Sequence, residues 1–106
     1  MKPEVVEQWN RALRSYEKAK AAYGDHQRTN DVKDELFDAV LFGYGAVVES
    51  RKTGDETHCV FGDWHATEHL WSPSVDSREA IEETFKTLSG YREQIPDDLE
   101  PPQPLN

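Results

Sequence analysis

Residues 43–71 read GYGAVVESRKTGDETHCVFGDWHATEHLW. Whether this stretch is helix or sheet decides the fold. A glycine in a helix interior costs roughly 1 kcal/mol against alanine. Gly43 and Gly45 therefore mark either a helix end or a place of tight packing. From Ala46 the character changes. Val47 and Val48 favour a strand, Thr53-Gly54-Asp55-Glu56 reads as a turn, and Thr57 to Phe61 is again rich in strand formers. Gly62-Asp63 is a two-residue hairpin signal, and Trp64 to Trp71 supplies the return strand. In that register Phe61 faces Trp64, Val60 faces His65 and Cys59 faces Ala66. Val48 opposes Phe61 and Ser50 opposes Cys59 across the first turn. The pattern predicts a three-stranded antiparallel meander over about 46–71. A competing pattern carries the preceding helix to Thr53, with Gly54 as its stop. Asp55 to Ser74 must then form a further short helix or a long loop, which compact domains seldom contain.

Upstream, Val6, Trp9, Leu13, Tyr16 and Tyr23 recur at helical spacing, with Ala12 and Ala19 beside them, so residues 3–24 read as an amphipathic helix. Pro3 suits its first turn, Glu4 and Glu7 complement its dipole, and Gly24 stops it. Arg11, Arg14 and Lys18 share an exposed face. Residues 31–42 form a second helix, capped by Thr29 or Asn30. Val32, Leu36, Ala39 and Val40 make one apolar stripe, and Phe37 and Leu41 a second. Asp31, Asp34, Glu35 and Asp38 run along the opposite face.

Downstream, Ser74 or Asp76 caps a last helix through about Tyr91. Its buried stripe is Ala80, Ile81, Phe85 and Leu88, Glu82 and Lys86 form an i,i+4 pair, and Gly90 is a late weak point. The expected fold is α+β: two N-terminal helices, a small antiparallel β-meander and a C-terminal helix. The alternative is an all-α bundle of three or four helices. Residues 1–95 form one compact domain. Residues 96–106 hold four prolines and three acids, which predicts an extended, mobile tail.

The chemistry-bearing side chains gather between residues 57 and 71. That span holds the single cysteine, Cys59, with His58, His65 and His69, and two of the three tryptophans, Trp64 and Trp71. Cys59, His65 and His69 are ligand types that zinc favours. The two histidines share a helix face at i,i+4. On a strand they stand about 13 Å apart, too far to share one ion. The meander therefore argues against metal, and no cofactor is expected. A zinc-binding domain built on these three residues is the alternative.

His65-Ala66-Thr67-Glu68-His69 also resembles the H-x-x-E-H pattern of the inverzincin metallopeptidases. There both histidines hold zinc and the glutamate acts as general base. Those enzymes are several times larger and use a further acidic ligand well downstream. Glu79, Glu82 and Glu83 stand nearer than that pattern places it. With no G-x-S-x-G elbow either, the chain is not expected to be an enzyme. In a hairpin, Trp64 and Trp71 become core or partner-docking aromatics.

Charge carries the functional expectation. The net charge is −9, unevenly spread. Residues 1–28 hold six Lys/Arg against four Asp/Glu, while residues 29–106 hold six against seventeen. Such a body repels nucleic acid and acidic membranes and steers toward basic surfaces. No apolar run approaches the ~18 residues of a membrane span. The start MKPEVVEQWN lacks the apolar core of a leader, and a lone cysteine cannot form an internal disulfide. These features predict a cytoplasmic chain.

The expected function is a non-enzymatic acidic binding protein that engages a basic surface of a partner protein. Small acidic chains of this type include phage or mobile-element inhibitors of nucleic-acid-handling defence enzymes, acting by charge mimicry or steric block. Expected partner-binding residues are Asp31, Asp34, Glu35, Asp38, Glu79, Glu82, Glu83, Trp64 and Trp71. A homodimer through the Trp9–Leu13–Tyr16 face is a further possibility.

Overall fold

The computed structural model describes residues 3–25, 29–51, 76–96 and 98–105. Among these residues three helices make up the regular structure: α1, Pro3–Gly24; α2, Thr29–Arg51; and α3, Ser77–Gln94. No strand occurs among the described residues, so the α+β expectation is overturned and the all-α alternative fits. The first strand of the expected meander, from Ala46 through Val48 to Ser50, forms the last turns of α2. The rest of that meander lies outside the described residues.

Tertiary packing explains why local strand propensity lost. Val40, Gly43 and Val47 fall at i, i+3 and i+7, and all are buried, with Ala46 beside them. Continuing the helix buries this ridge, whereas a strand would have sent Val47 and Val48 to opposite faces. The glycine at 43 is a contact point rather than a break. A Cβ there would lie 2.7 Å from Leu88 Cδ2 and 3.1 Å from Tyr91 Cδ2. A methyl group there would have to push the Leu88 and Tyr91 side chains aside, so glycine suits the close approach of α2 and α3. Tyr44 and Tyr91 flank the crossing, with ring centroids 6.0 Å apart.

Helix α1 buries Val5, Trp9, Ala12, Tyr16, Ala19 and Ala22. The stripe is turned slightly from the expected one. Val5 is the buried valine, while Val6, Leu13 and Tyr23 pack half-buried at its margins. The helix ends at Gly24, and α2 returns antiparallel to it. The stripe Val32, Leu36, Ala39 and Val40 is fully interior. Asp76 caps α3, its carboxylate accepting from the Glu79 N–H at 3.0 Å. Ala80, Ile81, Thr84 and Leu88 are the buried residues of α3. Thr84 is tolerated there because its hydroxyl donates to the Ala80 carbonyl at 2.8 Å. Gly90 does not interrupt the helix, which runs on to Gln94.

Helix α3 runs in the same sense as α2, since Gly43 meets Leu88 and Arg51 donates to Gln94 Oε1 at 2.8 Å. After Ile95 the chain reverses and is extended. It passes back along α3 and lies beside α1, burying Leu99 and Pro102. Trp9 Nε1 donates to the Glu100 carbonyl at 2.7 Å, and the Tyr16 hydroxyl to the Gln103 carbonyl at 2.6 Å. The tail thus occupies the groove between α1 and α3.

Candidate interaction surface

The α2 acids arise from helical spacing. Asp31, Asp34, Glu35 and Asp38 lie within two turns, on the side away from Val32, Leu36, Ala39 and Val40. Asp31, Asp34 and Asp38 are exposed and Glu35 is half-buried. Asp34 and Asp38 are one turn apart, a like-charge pair that destabilises a helix. The Asp38 carboxyl is pushed above its ordinary range, by partial burial first and the Asp34 charge second, and Lys18 offsets part of this.

Lys18 reaches this face because α1 and α2 are antiparallel. It lines a cleft of about 310 Å³ with Ala22, Asp31, Asp34 and Glu35. Further along the same groove, Arg11, Arg14, Ser15, Lys18 and Phe42 line a notch of about 230 Å³. Arg11 lies over the Phe42 ring at 5.5 Å from its centroid and pairs with Glu7 at 3.3 Å. Lys18 therefore stands beside the acidic row, while Arg11 and Arg14 continue the cationic ridge past its end, at Phe42. Helical spacing showed both rows, but only the pairing of α1 with α2 brings Lys18 to the acids.

The α3 acids form a separate row. Glu79 and Glu82 are exposed and Glu83 is half-buried. Arg78 pairs with Glu82 at 3.3 Å, in place of the expected Lys86 partner. Trp64, Trp71, Cys59, His65 and His69 lie outside the described residues. Among the described residues no group of three His, Cys, Asp or Glu is placed to hold a metal ion, and no helix is long and apolar enough to cross a membrane.

A second set of side chains, not expected from the sequence, converges on the tail. Besides Trp9 and Tyr16, Lys20 Nζ donates to the Gln103 carbonyl at 3.1 Å and Arg92 Nε to the Leu99 carbonyl at 2.6 Å. The Tyr16 hydroxyl is pushed up to about 12 by burial first and the Glu17 charge second. Lys20 is held by Glu17 at 2.9 Å and lies 4.9 Å from the Tyr16 ring centroid. One signal for this set was present in the sequence. Trp9 and Tyr16 place polar atoms on a buried stripe, and such atoms need partners. Comparison with protein families, curated proteins and solved structures finds no match to this chain.

Proposed function

We propose that this chain is a non-enzymatic binding protein whose α2 acidic face engages a basic surface on a partner protein. The observation that supports it most is the Asp34–Asp38 pair. Two exposed carboxylates one turn apart, with Asp38 raised above its ordinary range, form a site that gains from a further cation. Lys18 compensates from one side only, so an incoming Arg or Lys approaches from the outer edge. Enzymes that handle nucleic acid carry basic grooves suited to such a face. An inhibitor that occupies one, of the kind phages and mobile elements deploy against host defence, is the functional class proposed. Glu79, Glu82 and Glu83 supply a second, weaker contact, because Arg78 already answers Glu82.

The test is partner capture at low and high salt, with wild-type chain and with Asp34→Lys/Glu35→Lys/Asp38→Lys. Capture that weakens with salt and is lost in the reversed variant is expected. Capture indifferent to both would remove the electrostatic mechanism.

A further inference from the structure

The C-terminal segment is held in the manner of a bound peptide. Its buried positions, Leu99 and Pro102, are three residues apart, and half-buried Leu105 follows at the same interval. Burial at every third residue matches the three-residue repeat of a polyproline II ribbon, in which such positions share one edge. The residues between them are exposed. Such a ribbon makes no hydrogen bonds of its own, and its carbonyls remain free for a receptor. Here four side chains outside the segment donate to them: Trp9, Tyr16 and Lys20 from α1, and Arg92 from α3. A tryptophan and a tyrosine that offer hydrogen bonds to a proline-containing ribbon are the usual chemistry of proline-rich peptide recognition.

The charges are complementary in part, for Glu17, the partner of Lys20, also lines the α1 side of the segment. Lys20 and Arg92 are cationic, and the segment carries Asp98 and Glu100, with Arg92 standing 3.7 Å from the Asp98 carboxylate. Nor does the segment fill its groove. A cleft of about 480 Å³ remains between Leu13, Ala21 and neighbouring α1 residues and the run from Glu100 to Gln103. Another of about 260 Å³ lies where Phe85 and Lys86 face Pro104 and Leu105.

We infer that the α1–α3 groove is a receptor for extended, acidic, proline-containing peptide, occupied in this structure by the chain's own tail. A partner protein presenting a segment of that pattern, apolar at every third position with prolines between, binds by displacing the tail. A tethered tail competes at an effective concentration in the millimolar range, so the intact chain admits a partner segment only when that segment is stronger or abundant. The inference uses α1, α3 and the tail, and it can fail or hold independently of the α2 acidic face.

The experiment uses the 106-residue chain carrying Leu99→Asp and Pro102→Asp, which disables the tail's two anchors. The probe is a labelled synthetic peptide of residues 96–106, followed by fluorescence anisotropy. Circular dichroism and thermal melting check the fold. Saturable binding to the disabled chain is expected, with much weaker binding to wild type and none by a peptide bearing the same two changes. Adding Tyr16→Phe to the disabled chain should weaken binding by roughly threefold to tenfold, the loss of one hydrogen bond. A folded disabled chain that ignores the wild-type peptide, or that binds both peptides equally, overturns the inference. So does a disabled chain that no longer melts cooperatively, because the tail is then part of the core rather than a ligand.

Discussion

Gly43 and Gly90 carry the same residue type into two helix interiors with opposite consequences. At Gly43 a methyl group would meet Leu88 and Tyr91 closer than side chains tolerate, and Leu88 is fully buried. At Gly90 nothing lies within 4 Å. Gly90→Ala should therefore stabilise the fold by up to about 1 kcal/mol. Gly43→Ala should destabilise it, because overpacking costs about 1–3 kcal/mol against that same gain. Thermal melting of the two variants checks the pair. Asp38 is the other instructive residue. Its folded form holds a proton more tightly than the unfolded chain does, so its contribution is present in acid and lost as pH rises through the folded value. At neutral pH the carboxylate is left charged beside Asp34. Asp38→Asn should raise the Tm at neutral pH, by an amount equivalent to about 0.2–0.5 kcal/mol, and leave it unchanged in acid.

At the scale of elements, the tail's grip on α1 has a pH signature. The Tyr16 hydroxyl is raised from 10.0 to about 12, and burial raises Tyr91 as well. A raised folded value means that stability is fully present below the unfolded value and lost as pH rises to the folded one. The Tm should fall between about pH 10 and pH 12, and Tyr16→Phe should make that fall shallower. The same substitution should cost about 1 kcal/mol at neutral pH through the lost hydrogen bond. Helix α1 and the first half of α2 were legible in the sequence, since a 3.6-residue apolar period over many turns has no other reading. The end of α2 was not. Val47 and Val48 carry strand propensity, and the two glycines looked like punctuation. The missed signal was phase: Leu36, Val40, Gly43 and Val47 keep one helical register through the glycines. The tail's seat was hidden for another reason. Its proline and acid content describes an extended chain, but nothing local shows that Trp9, Tyr16, Lys20 and Arg92 would meet its carbonyls.

For the whole molecule, charge composition was legible and charge placement was not. The net charge of −9 is concentrated after residue 28, and Arg11, Arg14 and Lys18 share one face of α1. The pairing of α1 with α2 sets Lys18 beside the α2 acids, with Arg11 and Arg14 farther along at Phe42, and Arg78 stands among the acids of α3. On the proposed function, a basic partner docks with its cations on the outer edge of α2, away from Lys18. Lys18→Gln should accordingly tighten capture of such a partner at low salt, where Arg11→Gln, two helical turns farther along α1 and over Phe42, should change it less. The described residues come together as three helices with residues 98–105 laid in the α1–α3 groove, and Trp9 lies beneath that segment. Hydrogen exchange of the Trp9 indole N–H, read by NMR in the 106-residue chain, tests this arrangement most directly. Exchange far slower than in free tryptophan, returning toward the free rate in the Leu99→Asp/Pro102→Asp chain, is the predicted result. Exchange at the free rate in the wild-type chain would contradict it.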